Sequence, residues 1–260
     1  MRMVVNGSDI FVATGGKNFD SALPAMVFVH GAGMDHSVWA LLARSFAHRG
    51  FSVLAPDLPG HGRSGGAPLS SIATLADWTA ALIDAAGVAN ARIVGHSMGS
   101  LVALETAARH PDKIAALGLI TTAAPMRVSD DLLNAAKTND HAAIDMISIW
   151  GEGYRATLGG SLTPGLWMLG SAQRLLERAH PGVIFADLSA CSAYQDALAA
   201  AAKVTVPSIV IQGSRDLMTP VKGGKAIAAA IPNCRLVMIE GAGHMLMSER
   251  PDEVLAALRG

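Results

Sequence analysis

Six short apolar runs recur along this chain, and most are followed by a longer stretch with helical spacing. The runs are "MVFVH" (26–30), "FSVLAP" (51–56), "ARIVGH" (91–96), "IAALGLIT" (114–121), "PSIVIQG" (207–213) and "CRLVMIEG" (234–241). Apolar runs of this length, rich in β-branched residues and lacking polar alternation, mark strands covered on both faces. Helical patterns fall near 37–48, 71–86, 98–109, 219–230 and 251–259. Strand alternating with helix predicts an α/β fold, a mostly parallel sheet flanked by helices and joined by right-handed crossovers. The opening "RMVVNGSDIFVAT" places Asn6-Gly7 between two apolar segments and predicts a hairpin that adds antiparallel edge strands.

The alternation fails once. From about Met126 to Leu188 there is only helical pattern broken by Gly and Pro. A structureless loop of that length is rare inside a compact domain, so a helical insertion over one edge of the sheet is the better account. The expected division is a core at 1–126 and 188–260 with a helical cap, or lid, at 127–187. Hydrophobic residues at 51% and charged residues at 16% supply ample core for such a chain. A net charge of −1 with no basic run gives nucleic acid no electrostatic footing. No segment approaches the ~18 apolar residues of a membrane span, and the first residues lack a signal-peptide apolar region. Cys191 and Cys234 are too few for a disulfide framework and read as buried small apolar residues. The expectation is a soluble, cytoplasmic protein, and nothing in the sequence marks its oligomeric state.

"VGHSMGS" (94–100) carries the pattern G-x-S-x-G around Ser97, but with 27 glycines the chain also supplies a decoy at Gly62-Arg63-Ser64-Gly65-Gly66. Context separates them. Ile93-Val94 lead into Ser97 as a strand and "SLVALETAARH" leads out as a helix, the strand–turn–helix setting of a nucleophile elbow. Ser64 has no strand before it and Pro68 soon after. Ligands of open α/β sheets bind beyond the carboxyl ends of the strands, where Ser97 falls.

A serine hydroxyl needs a base to take its proton. Among nine histidines, His244 follows the last strand in "IEGAGHMLM", where Gly241 and Gly243 let the loop turn back over the sheet. His96 adjoins Ser97, but on an elbow the preceding side chain points elsewhere. His30 at a strand end reads as a loop-holding residue. The base in turn needs a carboxylate to fix its tautomer. Asp216 in "IQGSRDLMTP" lies in the loop after the neighbouring strand, and Glu240 is the competitor. A tetrahedral oxyanion needs two backbone N–H donors. Met98 at a helix N-terminus is one. Ala32 in "HGAGMDHSVW" is the other, with Gly33 as the fallback.

These residues resemble the α/β-hydrolase superfamily, in particular its cofactor-free serine esterase and lactonase-like members. The resemblance covers nearly the whole chain through "VFVHGAG…W", "APDLPGHGRS", "VGHSMGS", "IQGSRDLMTP" and "GAGHMLMSERPDEV", in that order. It implies an α/β-hydrolase fold, the triad Ser97–Asp216–His244, a mobile cap, and a structural rather than chemical role for Asp57. Ser100 departs from the pattern, standing where many members have a second glycine. A serine nucleophile argues against the aspartate-nucleophile dehalogenases and epoxide hydrolases. No metal is implied, and no H-E-x-x-H spacing occurs.

The expected reaction is cleavage of a carboxylic ester of small to medium, moderately apolar size through an acyl-enzyme on Ser97. Trp150, Trp167 and Met146, with Ile149, Leu162 and Met168, are candidates for an apolar acyl pocket, or else pack the cap onto the core. Arg127 or Arg155 could pair with a substrate carboxylate, or stand as solvated charges. Two neighbouring chemistries stay open: enol-lactone hydrolysis and hydrolysis of a carbon–carbon bond in ring-cleavage products. The second is disfavoured because the loop reads Gly-Ala-Gly-Met-Asp, without a Gly-Pro turn. A different class, a ligand-sensing receptor that retains the triad, is separated from an enzyme by sustained turnover.

Overall fold

The computed structural model describes residues 1–160 and 165–259, apart from the side chain of Arg155. Leu162 and the Arg155 side chain, both named above as candidate pocket groups, lie outside the described residues.

Eight strands form one sheet: β1 (Arg2–Val5), β2 (Ser8–Ala13), β3 (Ala25–Val29), β4 (Ser52–Pro56), β5 (Ala91–His96), β6 (Ile114–Ile120), β7 (Ser208–Gly213) and β8 (Cys234–Ile239). Their order is β1-β2-β4-β3-β5-β6-β7-β8. From β4 to β8 every pairing is parallel. β1 and β2 form the expected hairpin, and β2 runs antiparallel to β4. Asn6 and Gly7 both take positive φ, 49° and 79°, as a two-residue hairpin turn requires.

The helices are α1 (Ala40–Ala47), α2 (Ile72–Ala85), α3 (Met98–Arg109), α4 (Asp130–Lys137), α5 (His141–Gly151), α6 (Tyr154–Thr157), α7 (Met168–Leu176), α8 (Val183–Ala193), α9 (Ala197–Ala201), α10 (Val221–Ala230), α11 (Leu246–Glu249) and α12 (Pro251–Arg259). Their starts carry local signals. The Ser71 hydroxyl accepts from the Thr74 N–H at the head of α2, and the Asp140 carboxylate accepts from the Ala142 N–H at the head of α5.

Strand periodicity divides the core in two. Val27 and Val29 of β3 face one side with Ile93, Leu117, Val210 and residues of α2, α3 and α10. Met26 and Phe28 face the other with Val53, Ile120, Ile211 and residues of α1 and α12. Because side chains alternate across the sheet, a central strand with helices on both faces needs apolar residues at every position, and β3 is buried throughout. β8 differs because it is the last strand in the order and has no neighbour on one side. It is only partly buried, and Cys234 on it is half-buried rather than buried as expected, whereas Cys191 is buried.

Between β6 and β7 the described residues make the six helices α4 to α9 and no strand. α4 packs on α5 and α8, α5 on α7, and α8 on α3 of the core. A division at 187 does not match the helices: α8 runs unbroken from Val183 to Ala193, so that boundary falls inside a helix.

Candidate active site

Ser97 stands between β5 and α3 with φ 54° and ψ −121°, a conformation that costs an L-residue ~1–3 kcal/mol and persists only where its surroundings impose it. Here they do. A Cβ at residue 95 would lie 1.9 Å from the Gly99 carbonyl oxygen, and one at residue 99 would lie 2.1 Å from the Val29 carbonyl oxygen. Only glycine lets β5, β3 and α3 approach this closely. The Ser97 N–H donates to the Ile120 carbonyl at 3.0 Å, tying the elbow to β6. Ser100 also contributes: its hydroxyl donates to the Ser97 carbonyl at 2.5 Å, so the departure from a second glycine braces the turn.

Ser64 is occupied elsewhere. Its hydroxyl donates to the Asp57 carbonyl at 2.7 Å and accepts from the Phe11 N–H at 3.0 Å, joining the hairpin to the loop after β4. Asp57 accepts from the His36 and Arg63 N–H groups and pairs with the His36 ring at 2.7 Å. Burial alone would raise its carboxyl, but these bonds hold it below the usual carboxylate range. Among the described residues, Asp35, His36 and Asp57 bring candidate metal-ligand atoms within 4.8 Å of one another. His36 and Asp57 already pair with each other, while Asp35 accepts from the Ser37 N–H and hydroxyl and from Arg178 Nη2 at 3.1 Å.

His244 is buried, and its Nδ1 lies 2.9 Å from Asp216 Oδ2. Asp216 Oδ1 accepts from the Met218 and Thr219 N–H groups at 2.8 Å each, and the Thr219 hydroxyl donates to Oδ2. Burial pushes the Asp216 carboxyl up, but His244 and the Thr219 bonds more than offset this, so Asp216 sits below its ordinary value as a carboxylate. Glu240 is an exposed turn residue just past β8, not a strand residue as its position had suggested. Ser97 and His244 line one cavity without a direct hydrogen bond, a contact that commonly tightens only with substrate present.

The other histidines take supporting roles. His96 is fully buried, and burial with His244 beside it holds it well below the ordinary histidine value. It is therefore neutral, and its Nε2 donates to the His244 carbonyl at 3.1 Å, fixing the backbone of that residue. Burial and the neighbouring His61 lower His30 to about 4. His30 bridges two loops, with Nδ1 donating to the Gly31 carbonyl and Nε2 accepting from the Leu58 N–H.

The Ala32 N–H has no hydrogen-bond acceptor among the described residues, and Ala32 lines the cavity beside Ser97. Met98 is the first residue of α3, where the N–H groups have no intrahelical partner. The fallback donor is excluded: the Gly33 N–H already donates to Asp187 Oδ2 at 2.8 Å.

The cavity measures about 340 Å³. Its walls beyond Ser97 come largely from the helical insertion, through Leu132, Ile147, Trp150, Leu188 and Cys191. Arg127 is the one Lys, Arg, Asp or Glu among the described lining residues. Two expected lining residues are elsewhere. Met146 packs half-buried on the core and does not line the cavity. Trp167 is 66% exposed and faces a separate groove with Leu41, Met168 and Arg174. Sequence spacing marks both as apolar, but the rotation of α5 and the packing of α7 decide which cavity each meets.

Sequence reading also missed a buried carboxyl pair behind His244. Glu249 accepts from the Gly243 and Gly153 N–H groups, and Glu152 lies next to it with Oε2 unpartnered. Burial, with Glu249 beside it, pushes Glu152 up to about 8. Between its ordinary 4.5 and about 8 the folded chain therefore holds one proton more than the unfolded chain, and stability falls as pH rises through that window. Glu152→Gln, a permanently neutral isostere, is expected to gain stability relative to wild type from pH 4.5 upward, levelling off above about 8. Urea midpoints measured across this range test it, and a constant offset between the two proteins would contradict it.

Comparison with known proteins agrees with this geometry. A family model described as the alpha/beta hydrolase fold matches residues 24–251. A pimeloyl-[acyl-carrier protein] methyl ester esterase of Chromobacterium violaceum is 31% identical over 96% of both chains. One from Neisseria meningitidis is 32% identical over 88% of this chain and 89% of its own. Among solved structures, the enol-lactonase of Burkholderia xenovorans superposes with a TM-score of 0.87 at 26% identity, covering 100% of this chain and 98% of its own. A thermophilic esterase gives 0.80 at 28% identity, covering 100% and 95%. No described helix is long and apolar enough to cross a membrane. With the family model spanning six of the eight strands and every described residue of the cavity wall, the chain belongs to the α/β-hydrolase family.

Proposed function

We propose that this chain is a serine hydrolase that cleaves carboxylic esters of small to medium, moderately apolar acids through an acyl-enzyme on Ser97. The observation that carries the reading is the meeting of a strained elbow serine and a carboxylate-paired histidine on one largely apolar cavity. The chain is an ester-hydrolysing enzyme, in keeping with its esterase relatives.

The chemistry follows from the positions. Asp216 holds the proton of His244 on Nδ1, leaving Nε2 free to take the Ser97 proton as Oγ adds to the ester carbonyl. The Ala32 and Met98 N–H groups receive the oxyanion, aided by the positive end of α3. Collapse of the tetrahedral intermediate breaks the bond to the alcohol, which leaves with the proton from His244. Water then adds to the acyl-enzyme, giving its proton to His244, and the acid departs as Ser97 regains a proton. No step draws on a cofactor or metal. In this reading α4 to α8 form the cap, because they supply most of the cavity wall away from Ser97.

A lactone is the second reading, favoured by the enol-lactonase neighbour, and it uses the same residues with the leaving alcohol still tethered. A panel of aryl esters of graded acyl length beside lactones tests both. Trp150→Ala is expected to shift acyl-length preference by ~10-fold or more, since one methylene-sized contact is worth ~1–3 kcal/mol of discrimination. Trp167→Ala, in the other groove, is expected to leave that preference unchanged. Equal losses for every acyl length in Trp150→Ala would show that Trp150 only packs the cap. Absence of turnover on every ester and lactone would overturn the reading.

A further inference from the structure

Asp187 lies on α8 in the insertion, is fully buried, and bonds to two loops of the core. Its Oδ2 accepts from the Gly33 N–H at 2.8 Å and lies 2.8 Å from His61 Nε2. The other ring nitrogen, Nδ1, lies 3.0 Å from the Pro59 carbonyl. A carbonyl and a carboxylate can only accept, so both ring nitrogens carry hydrogen and His61 is an imidazolium paired with Asp187. Burial opposes that charge, but Asp187 overcomes it and His61 is raised above the ordinary histidine value.

Gly33 is the residue after Ala32, and its φ of 68° sets the direction in which the loop leaves the sheet. Ile184 of α8 and Leu176 of α7 close over it so tightly that a Cβ would lie 2.7 Å from Ile184 Cγ1. Within the loop, the Met34 N–H donates to the Gly31 carbonyl at 3.2 Å and closes a turn around Ala32 and Gly33. The Gly33 N–H within that turn is held by an anionic oxygen, 154 residues away in sequence, presented by the insertion. Charge-assisted bonds of this kind are about twice as strong as neutral ones.

We infer that the Asp187–His61 pair is a positioning device for the oxyanion loop, so that α8 sets the aim of the Ala32 N–H at the reacting carbonyl. The insertion then does more than shape the acyl pocket: it completes the catalytic geometry of the core. Donors that stabilise a transition state act through placement, and a displacement of ~1 Å is enough to cost ~10²-fold in rate. Asp187 and His61 touch no reacting atom; they act through residues 31–33. This inference rests on the oxyanion assignment made above.

The test separates placement from mere stability. The probe is phenylboronic acid, whose boron accepts a lone pair of Ser97 Oγ while the serine proton passes to His244, leaving a tetrahedral adduct with one oxygen at the oxyanion position. Asp187→Asn removes the negative charge that both donors meet, leaving a neutral amide oxygen at the Oδ2 position and its N–H₂ where Oδ1 has no partner, and His61→Gln removes the cation. Each is expected to lower kcat for an aryl ester and boronate affinity in parallel, by ~10-fold or more, with KM little changed. The loss should stay below the ~10²–10³-fold of deleting an oxyanion donor outright. If Asp187→Asn does not fold, His61→Gln reads the same bond from its other end. Variants that melt earlier but keep wild-type kcat and boronate affinity would overturn the proposal. Ser97→Ala in the same titration should abolish boronate binding. If binding persists there, the site reading itself fails.

Discussion

Ser97→Ala is expected to lower ester turnover by on the order of 10⁶-fold, leaving only the ~10³–10⁴-fold acceleration over water that an oxyanion hole and binding supply. The size follows from the unity of the machinery: without Oγ there is no acyl-enzyme, and His244 and Asp216 have nothing to activate. Ser64→Ala is the matched control, since it removes the serine of the same local pattern. There the expected loss is in stability, ~1–3 kcal/mol, because the Phe11 N–H loses its buried acceptor while turnover remains. Single-turnover kinetics with an aryl ester, beside urea unfolding of both variants, checks the pair. Near wild-type turnover in Ser97→Ala would reduce the elbow to a feature of the fold.

Asp216→Asn comes next, with an expected fall in kcat of ~10⁴-fold. The direction is fixed by the neighbours of the carboxylate. Oδ1 accepts two backbone N–H groups, from Met218 and Thr219, so an asparagine keeps its oxygen there. Its N–H₂ is then turned to His244 Nδ1 and donates to it. That forces the histidine proton onto Nε2, the nitrogen that must receive the proton of Ser97. Glu240→Gln, on an exposed turn, is expected to change kcat less than twofold. Rates of both variants, with circular dichroism to confirm folding, decide the carboxylate. A severe loss in Glu240→Gln with a mild one in Asp216→Asn would reverse the assignment.

Much of the fold was legible because it rests on local patterns. An apolar run such as 26–30 must be a strand with both faces covered. The elbow is equally local: Gly95 and Gly99 stand two residues on either side of Ser97 because the turn itself brings backbone within van der Waals contact. Chain order placed Asp216 and His244 in loops at the same sheet edge, since β7 and β8 are neighbours. Other assignments failed for the opposite reason. Trp150 and Trp167 are both apolar residues in the insertion, and nothing near them in sequence says that one meets the cavity at Ser97 and the other an outer groove.

The sequence by itself thus determined the layered α/β architecture, the strand-to-helix turn that carries Ser97 and the neighbouring loops that bring Asp216 to His244. Each depends on periodic burial or on steric limits within a few residues, and such constraints leave a local signature. Only the tertiary structure decided that the Gly33 N–H is taken up by Asp187, that Asp187 and His61 pair across 126 residues, and that Glu152 and Glu249 are buried side by side behind His244. These are contacts between elements far apart in the chain. Their partners are chosen by how helices rotate and pack, and a buried aspartate on α8 reads in sequence like any other helix residue until the fold closes over it.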